Sequence, residues 1–320
     1  MKIPFERTIA GAYRFAFTNI LSIIGIGWFP FLLLGVVVGG LIYLWMPQFT
    51  AFGAMISAAT AAGPAYKPPP FDQTRAVALV GAAIGSYLLA FLTLMVVQAM
   101  VNVGLMRKAL GQYPGPVFFF FSLGSQVWRL IGSYLLLFLL FIGGVTLIVG
   151  AIAAISVGLS QVSGPWQWLV TFFLGLFAVL GFIYAFVRLS FFIPAVVVAE
   201  NHIGLRRSWH LGGGNFWRIL GIILIVTLPL SMAVNTVTSS MLQMAMGPQM
   251  GNMAAATPAE SQKIFMTMLH TIGQLWPYYL ALQFVNFILQ AGLTAGAAAN
   301  AYNLVTGGSE IAPRPAKVMA

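Results

Sequence analysis

The sequence has no cysteine and very little charge. Only 6% of its 320 residues are Asp, Glu, Lys or Arg, and only five residues are acidic. Without cysteine the chain can form neither a disulfide framework nor a thiolate-based catalytic or metal site. Soluble domains carry about 25% charged residues, so this chain has too few charged side chains to cover a water-facing surface. Because 60% of the residues are hydrophobic, the composition indicates a polytopic membrane protein.

Long apolar segments are plentiful, and each exceeds the ~20 residues that cross ~30 Å of hydrocarbon. The predicted membrane spans are 20–46, 76–105, 130–158, 166–193, 219–245 and 271–304. The first segment is too long for the apolar core of a cleaved signal peptide and lacks a following cleavage site, so we expect it to be retained. The sequence therefore predicts an all-α transmembrane bundle of six spans, forming a single membrane domain over residues 1–320.

The 15 basic residues are unevenly distributed between the two sides that these spans define. Twelve of them lie on one side: Lys2, Arg7, Arg14, Arg107, Lys108, Arg129, Arg188, Arg206, Arg207, Arg218, Arg314 and Lys317. By the positive-inside rule this side is cytoplasmic, so both termini are predicted to be cytoplasmic in an inner (plasma) membrane. The rule also accounts for the net charge of +10, so no nucleic-acid partner is predicted. On the other side, Pro47–Arg75 and Gly247–His270 are predicted to be loops without a domain of their own.

Three stretches resemble one another, and each opens a long span. They are 17–25, 123–132 and 214–221; the last two share Trp-Arg, two aliphatic residues and Gly, whereas the first keeps the aliphatic residues and Gly25. A short segment that could lie in the membrane interface precedes each stretch. The pattern predicts a threefold repeat of a short cytoplasmic interfacial helix followed by two spans.

The first interfacial helix has the clearest pattern. Phe5, Ile9, Tyr13 and Phe17 recur at steps of four after Pro4, which suits the first turn of a helix. Two interpretations use this apolar face. The helix lies on the cytoplasmic leaflet with its aromatic rings in the acyl region, or it packs that face on the cytoplasmic ends of the bundle.

The densest polar cluster lies between Glu200 and Arg218. The residues that could hold a phosphate or a lipid headgroup there are Arg206, Arg207, Gly212, Gly213, Gly214, Asn215 and Arg218. Glycine amides and a helix N-terminus can donate to a phosphate while arginines supply charge. In the alternative, the arginines extend towards the interface and the glycines only end a short helix. His202 and His210 are too far apart in sequence to form a metal site with Glu200 alone, so no metal and no cofactor are predicted.

Ionisable side chains are nearly absent from the spans, which argues against an enzyme and leaves no candidate catalytic residue. The polar residues inside the spans are amides on two helical faces: Gln98 and Asn102, and Gln283, Asn286 and Gln290. These amides either line a weakly polar site or join helices by hydrogen bonds. The second interpretation is favoured by glycines that would permit close helix approach, at positions 35, 39, 81, 85, 292 and 296.

The stretch from Arg188 to Gly221 resembles a known family. Pro194, Glu200, Ser208, Trp209, Leu211, Phe216, Trp217 and Gly221 stand where that family has its characteristic residues. The family is the membrane domain of glycerophosphoryl diester phosphodiesterases, which is also found in stand-alone bacterial inner-membrane proteins. The resemblance implies a membrane module without the phosphodiesterase domain, because the five carboxylates of this chain are scattered in sequence.

These observations lead to three hypotheses of function. The first is a non-enzymatic inner-membrane protein that binds glycerophospholipids, with anionic headgroups of the cytoplasmic leaflet as partners. The second is a transporter or channel-like protein for a small neutral solute or a lipid, with a path lined by Gln98, Asn102, Gln283 and Asn286. The third is a scaffold or assembly factor for a membrane-protein complex.

Overall fold

The computed structural model describes residues 2–62, 73–113, 117–159, 166–253 and 258–307. These residues form helices joined by short turns and contain no strand. In chain order the helices are α1 (Phe5–Thr18), α2 (Ile20–Ala62), α3 (Gln73–Ala109), α4 (Ser125–Leu159), α5 (Trp166–Ser190), α6 (Ile193–Glu200), α7 (Leu205–Leu211), α8 (Phe216–Met253) and α9 (Pro258–Thr306).

Six stretches of helix are long and apolar enough to cross a membrane, as the sequence predicted. They are Ile20–Met55, Ala76–Ala109, Ser125–Gly158, Trp168–Glu200, Phe216–Pro248 and Met266–Thr306. The all-α bundle class is therefore confirmed, and the chain has the composition of a multi-pass membrane protein. The fourth stretch is interrupted, because α5 ends at Ser190 and α6 begins at Ile193. Pro194 stands in the first turn of α6, where its missing N–H costs no hydrogen bond.

Several helices are longer than their predicted spans, so the loop prediction was wrong in part. Residues 47–62 continue α2, residues 73–75 begin α3, residues 247–253 continue α8, and residues 258–270 begin α9. Alanine and methionine, which are common there, are strong helix formers and need no apolar face to extend a helix. With 43 residues, α2 is about 65 Å long, which exceeds the ~40–45 Å of a whole bilayer. The rest of these connections, 63–72 and 254–257, lies outside the described residues.

The chain divides into two compact units. Unit 1 comprises Met1–Ile26, Gln98–Thr227 and Gln290–Ala320, and unit 2 comprises Gly27–Val97 and Leu228–Leu289. Helices α1 and α4–α7 belong to unit 1, while α2, α3, α8 and α9 contribute residues to both.

Helix α1 packs on the bundle in unit 1, and its most deeply buried residues lie beside the predicted face. The buried residues are Thr8, Ala12 and Ala16, which lie next to the aromatic face on the helix surface. A Cβ added at Gly296 of α9 would meet Ala12 at 3.1 Å, so the two backbones are in close contact. On the predicted face, Phe5 and Tyr13 are partly buried and contact α8, whereas Phe17 is exposed. Small side chains decide the packing because they allow this close approach.

The second interfacial segment, residues 117–124, is not helical, which corrects the expectation of a helix in each repeat. Phe120 is buried, whereas its neighbours Phe119 and Phe121 are exposed. The preceding sequence, with prolines at 114 and 116, disfavours a helix there.

Three segments of unit 1 pack on the spans in a cyclic order. Helix α1 contacts α8 and α9, residues 117–124 contact α2 and α3, and α6 and α7 contact α4 and α5. Each segment thus lies against the pair of spans that precedes it in the predicted repeat, with the first segment against the last pair. We call the end of unit 1 formed by α1, residues 117–124, α6 and α7 the basic end.

Glycines mark two of these three contacts. A Cβ at Gly25 of α2 would overlap the backbone carbonyl of Val117, and one at Gly221 of α8 would lie 2.9 Å from the ring of Phe5. Among the predicted close-approach glycines, positions 292 and 296 are confirmed. The prediction was wrong for positions 35, 39, 81 and 85, where no described atom lies within 4 Å.

We expect Gly25→Ala to destabilise the protein by about 1–3 kcal/mol, because the new methyl group meets backbone rather than a movable side chain. Gly35→Ala is the matched control on the same helix. It should leave stability unchanged or raise it by up to about 1 kcal/mol, since alanine favours the helix. Thermal unfolding in detergent measures both effects, and equal melting temperatures for the two variants would contradict the packing described.

Candidate functional site

The basic end concentrates the charge of unit 1. Among its described residues, ten are basic and two are acidic: Lys2, Arg7, Arg14, Arg107, Lys108, Arg129, Arg188, Arg206, Arg207 and Arg218, against Glu6 and Glu200. Six of the ten basic side chains donate hydrogen bonds within the unit, and these six are Arg107, Lys108, Arg129, Arg188, Arg207 and Arg218. Much of the charge therefore stabilises the fold.

The two Trp-Arg pairs of the repeat act alike. The Arg129 guanidinium donates to the backbone oxygen of Asn201, which ends α6, and Arg218 Nη1 donates to the backbone oxygen of Ile3, 2.7 Å away. The preceding residues, Trp128 and Trp217, are exposed by 58% and 79%. In each pair the arginine holds a neighbouring segment while the tryptophan faces outwards.

Arg188, at the end of α5, packs under the glycine run. Its Nε donates to the backbone oxygen of Trp209 at 2.9 Å, and its guanidinium carbon lies 3.9 Å from the Trp209 ring centroid. A Cβ at Gly212 would lie 2.7 Å from Arg188 Cγ, and one at Gly213 would lie 3.0 Å from Arg188 Nη2. These two glycines therefore make room for an arginine side chain of the same unit.

The backbone of the predicted phosphate loop is also engaged. The amides of Gly212, Gly213 and Asn215 donate to carbonyl oxygens within residues 208–212, and Gly214 takes a left-handed φ of +71°. The Asn215 side chain is buried, where its Oδ1 accepts a hydrogen bond from the Ile3 amide at 2.9 Å. Asn215 thus anchors the N-terminus of the chain.

Glu200 binds Arg207, another arginine of the predicted phosphate site. Its Oε1 accepts hydrogen bonds from Arg207 Nε and from the Tyr302 hydroxyl, each at 3.0 Å. His202 Nε2 lies 3.6 Å from the other carboxylate oxygen. This arrangement joins α6, α7 and α9 around a single carboxylate, so Arg207 is already paired.

The seven residues of the predicted phosphate site are thus close in sequence, but they differ in whether their side chains are accessible to an anion. Arg206 is exposed and has no hydrogen-bond or ion-pair partner among the described residues. Lys2, Arg7 and Arg14 are exposed and unpaired within the described chain as well. A phosphate site at the glycine loop remains a prediction, and the side chains available to an anion are Arg206 and the three cations of the N-terminal segment.

Unit 1 also contains a partly open cavity of about 280 Å³ among α3, α4, α5, α8 and α9. Its polar lining consists of Gln98, Asn102, Tyr134, Ser190 and Thr294. Asn102 Nδ2 donates to the Tyr134 hydroxyl at 2.8 Å, which joins α3 to α4. Of the first amide pair, Asn102 therefore lines the cavity and links two helices, whereas Gln98 only lines the cavity.

The second amide face behaves differently. Gln283 and Asn286 belong to unit 2 and do not line this cavity, while the backbone oxygen of Gln290 accepts from Thr294 at 2.8 Å. The amide pattern in the sequence does not identify Tyr134, Ser190 and Thr294, which also line the cavity. A signal for two of them was present, because Ser190 and Thr294 are hydroxyl residues inside apolar spans. Tyr134 carried no signal, since tyrosine is common near span ends.

Two of the residues that resemble the phosphodiesterase membrane domain have packing roles here. Ser208 Oγ donates to the backbone oxygen of Leu189 at 2.6 Å, which fastens α7 to α5, and Phe216 packs against Tyr184. Comparison of the chain with known protein families, with curated proteins and with solved structures finds no match. The resemblance therefore rests on these residues alone.

Arg188 donates hydrogen bonds to the backbone oxygen of Trp209 and to the Tyr184 hydroxyl, and it stacks on the Trp209 ring. We expect Arg188→Lys to lower the free energy of unfolding by about 1–3 kcal/mol, because lysine cannot keep all three contacts. Arg206→Lys, which retains charge at an exposed and unpaired position, is the control and should change stability by less than about 0.5 kcal/mol. Thermal unfolding in detergent compares the two. If Arg188→Lys melts with the wild type, the guanidinium does not hold α5 and α7 together.

Proposed function

We propose that the protein is a non-enzymatic integral membrane protein that binds anionic glycerophospholipid headgroups at its basic end. One observation carries this proposal. Lys2, Arg7, Arg14 and Arg206 are exposed and have no acidic partner among the described residues. Such cations attract anionic lipid, with about 1 kcal/mol for each side chain near a charged surface.

The surroundings of these cations suit a membrane interface. Large aromatic side chains are exposed at the same end of unit 1: Phe17, Phe118, Phe119, Phe121, Trp128 and Trp217. Aromatic rings concentrate where the acyl chains meet the headgroups. Cations and aromatic rings in one layer give a lipid both charge contacts and apolar contacts. The resemblance to the phosphodiesterase membrane domain supports a membrane role of this kind without hydrolysis.

We also infer that the basic end faces the cytoplasm of an inner membrane, as the distribution of basic residues favours. A lipid site there would take its ligand from the cytoplasmic leaflet. Anionic phospholipids make the surface potential of this leaflet negative, so the charge of the site and the charge of the leaflet are complementary.

Replacing three of the exposed cations tests lipid binding directly. We expect Arg7→Gln, Arg14→Gln and Arg206→Gln together to lower the retention of phosphatidylglycerol at least about tenfold in native mass spectrometry, because three contacts of about 1 kcal/mol are lost. The same three positions changed to lysine keep the charge and should retain the lipid. Equal retention by the glutamine and lysine variants would refute the proposal.

The orientation can be tested because the chain has no cysteine of its own. In intact cells, a maleimide that cannot cross the inner membrane should label Lys263→Cys, whose position is exposed in the structure. Arg206→Cys should be labelled only after the inner membrane is permeabilised. The opposite labelling pattern would place the basic end outside the cytoplasm.

A further inference from the structure

The cavity of unit 1 has a chemistry that the proposed headgroup contacts do not use. On α3, Asn102 precedes Arg107 by five residues, which places it about 7.5 Å deeper along the helix axis than the basic side chain. Gln98 lies one further turn away from the basic end. On α3 the polar lining therefore lies deeper than the basic side chain of that helix, and the cavity extends from there to Ser190 of α5 and Pro194 of α6.

Several hydrogen-bonding groups of the lining keep unused capacity. Gln98 and Ser190 make no side-chain hydrogen bond to any described residue, although both line the cavity. Asn102 uses Nδ2 to donate to Tyr134, so Asn102 Oδ1 is left as an acceptor and the Tyr134 hydroxyl proton as a donor. Thr294 donates to the backbone oxygens of residues 290 and 291 and can still accept.

Unused donors and acceptors on the deeper parts of the spans are costly, because lipid chains offer them no partner. The amides and hydroxyls come from α3, α4, α5 and α9, so four separate helices direct polar groups to one space. Helix packing alone requires only the bond between Asn102 and Tyr134. The remaining groups indicate a polar occupant.

The lining also limits the charge of that occupant. Among the described residues, no Asp, Glu, Lys, Arg or His lines the cavity, so a buried anion or cation would find no counter-charge there. Donors and acceptors are present together, and a hydroxyl group is both a donor and an acceptor. Phe186, Phe191 and Pro194 supply an apolar wall for the C–H surface of such a molecule.

We propose that this cavity binds an uncharged group rich in hydroxyls, of the size of a glycerol or a single sugar ring. A volume of about 280 Å³ is close to the lower end of the ~300–1,000 Å³ range of ligand sites, which suits a small group. The hydroxyls belong either to the headgroup of an uncharged glycolipid or to a free polyol. This site is separate from the proposed anionic-lipid contacts and does not depend on them.

The lipid source is tested with two uncharged lipids that have the same acyl chains. In native mass spectrometry the wild-type protein should retain monogalactosyldiacylglycerol about tenfold more than diacylglycerol, because the sugar adds at least two net hydrogen bonds. Gln98→Leu combined with Ser190→Ala should remove this preference without lowering the retention of diacylglycerol. Gln283→Leu, an amide substitution in unit 2 outside the cavity, is the control and should keep the preference.

The free source is tested with galactose and glycerol by saturation-transfer NMR. Saturable binding to the wild-type protein that disappears in the Gln98→Leu, Ser190→Ala variant supports the site. If the wild-type protein also shows no preference for the galactolipid, the ligand is a free polyol. If that variant does not fold, Tyr134→Phe provides the same comparison, since it removes one hydroxyl and keeps the ring. Absence of both the glycolipid preference and free-polyol binding in the wild-type protein overturns the proposal.

These outcomes are independent of the anionic-lipid experiment. Changing Arg7, Arg14 and Arg206 to glutamine removes charge outside the cavity, so it should leave the preference for the galactolipid intact. A loss of that preference in the charge variant would mean that the sugar binds at the basic end and not in the cavity, which also overturns the proposal.

Discussion

The hydrocarbon of the membrane excludes charge, and the structure of unit 1 depends on this constraint. Its basic residues stand near helix ends, at the basic end, where they can reach water and headgroups. If these arginines and the lysine had no protein partners, they would contact only water and lipid headgroups. Instead, six of them donate to carbonyl, amide, phenol or carboxylate oxygens of neighbouring segments. The side chains that are expected to orient the spans during insertion therefore also join the segments that close this end of unit 1.

This use of arginine works together with close backbone contact. Arg218 reaches the backbone of Ile3 because α1 lies directly on α8, and that approach needs Gly221 beneath Phe5. The second segment follows the same principle with different means, since the backbone of Val117 lies against Gly25. The cyclic order of the three segments thus does not require three helices. It requires only a segment, of any conformation, that offers backbone oxygens or amides to polar side chains of the spans.

The sequence allowed the spans to be predicted because twenty apolar residues in a row have few other structures available. It allowed the Trp-Arg repeats to be found, but not their roles. Arg218, Asn215 and Gly212 were grouped as anion ligands because they are close in sequence. Their actual partners, Ile3 and Arg188, are brought in by the fold and are distant along the chain. The most deeply buried residues of α1 were missed for a related reason. Hydrophobicity identifies rings such as Phe17, whereas packing between helices selects the small residues Ala12 and Ala16.

Depth explains why the two proposed sites differ in chemistry. At the level of the headgroups a cation is stable when exposed, and anions are abundant, so charge is the natural means of recognition. About 7.5 Å deeper along α3, an unpaired charge would be costly, and recognition has to rely on neutral groups that both donate and accept. The change from arginine to amide and hydroxyl along α3, from Arg107 to Asn102 and Gln98, follows that gradient. A cavity whose α3 lining is neutral and lies deeper than Arg107 is therefore suited to a neutral ligand, because the exposed cations already offer an anion more favourable contacts.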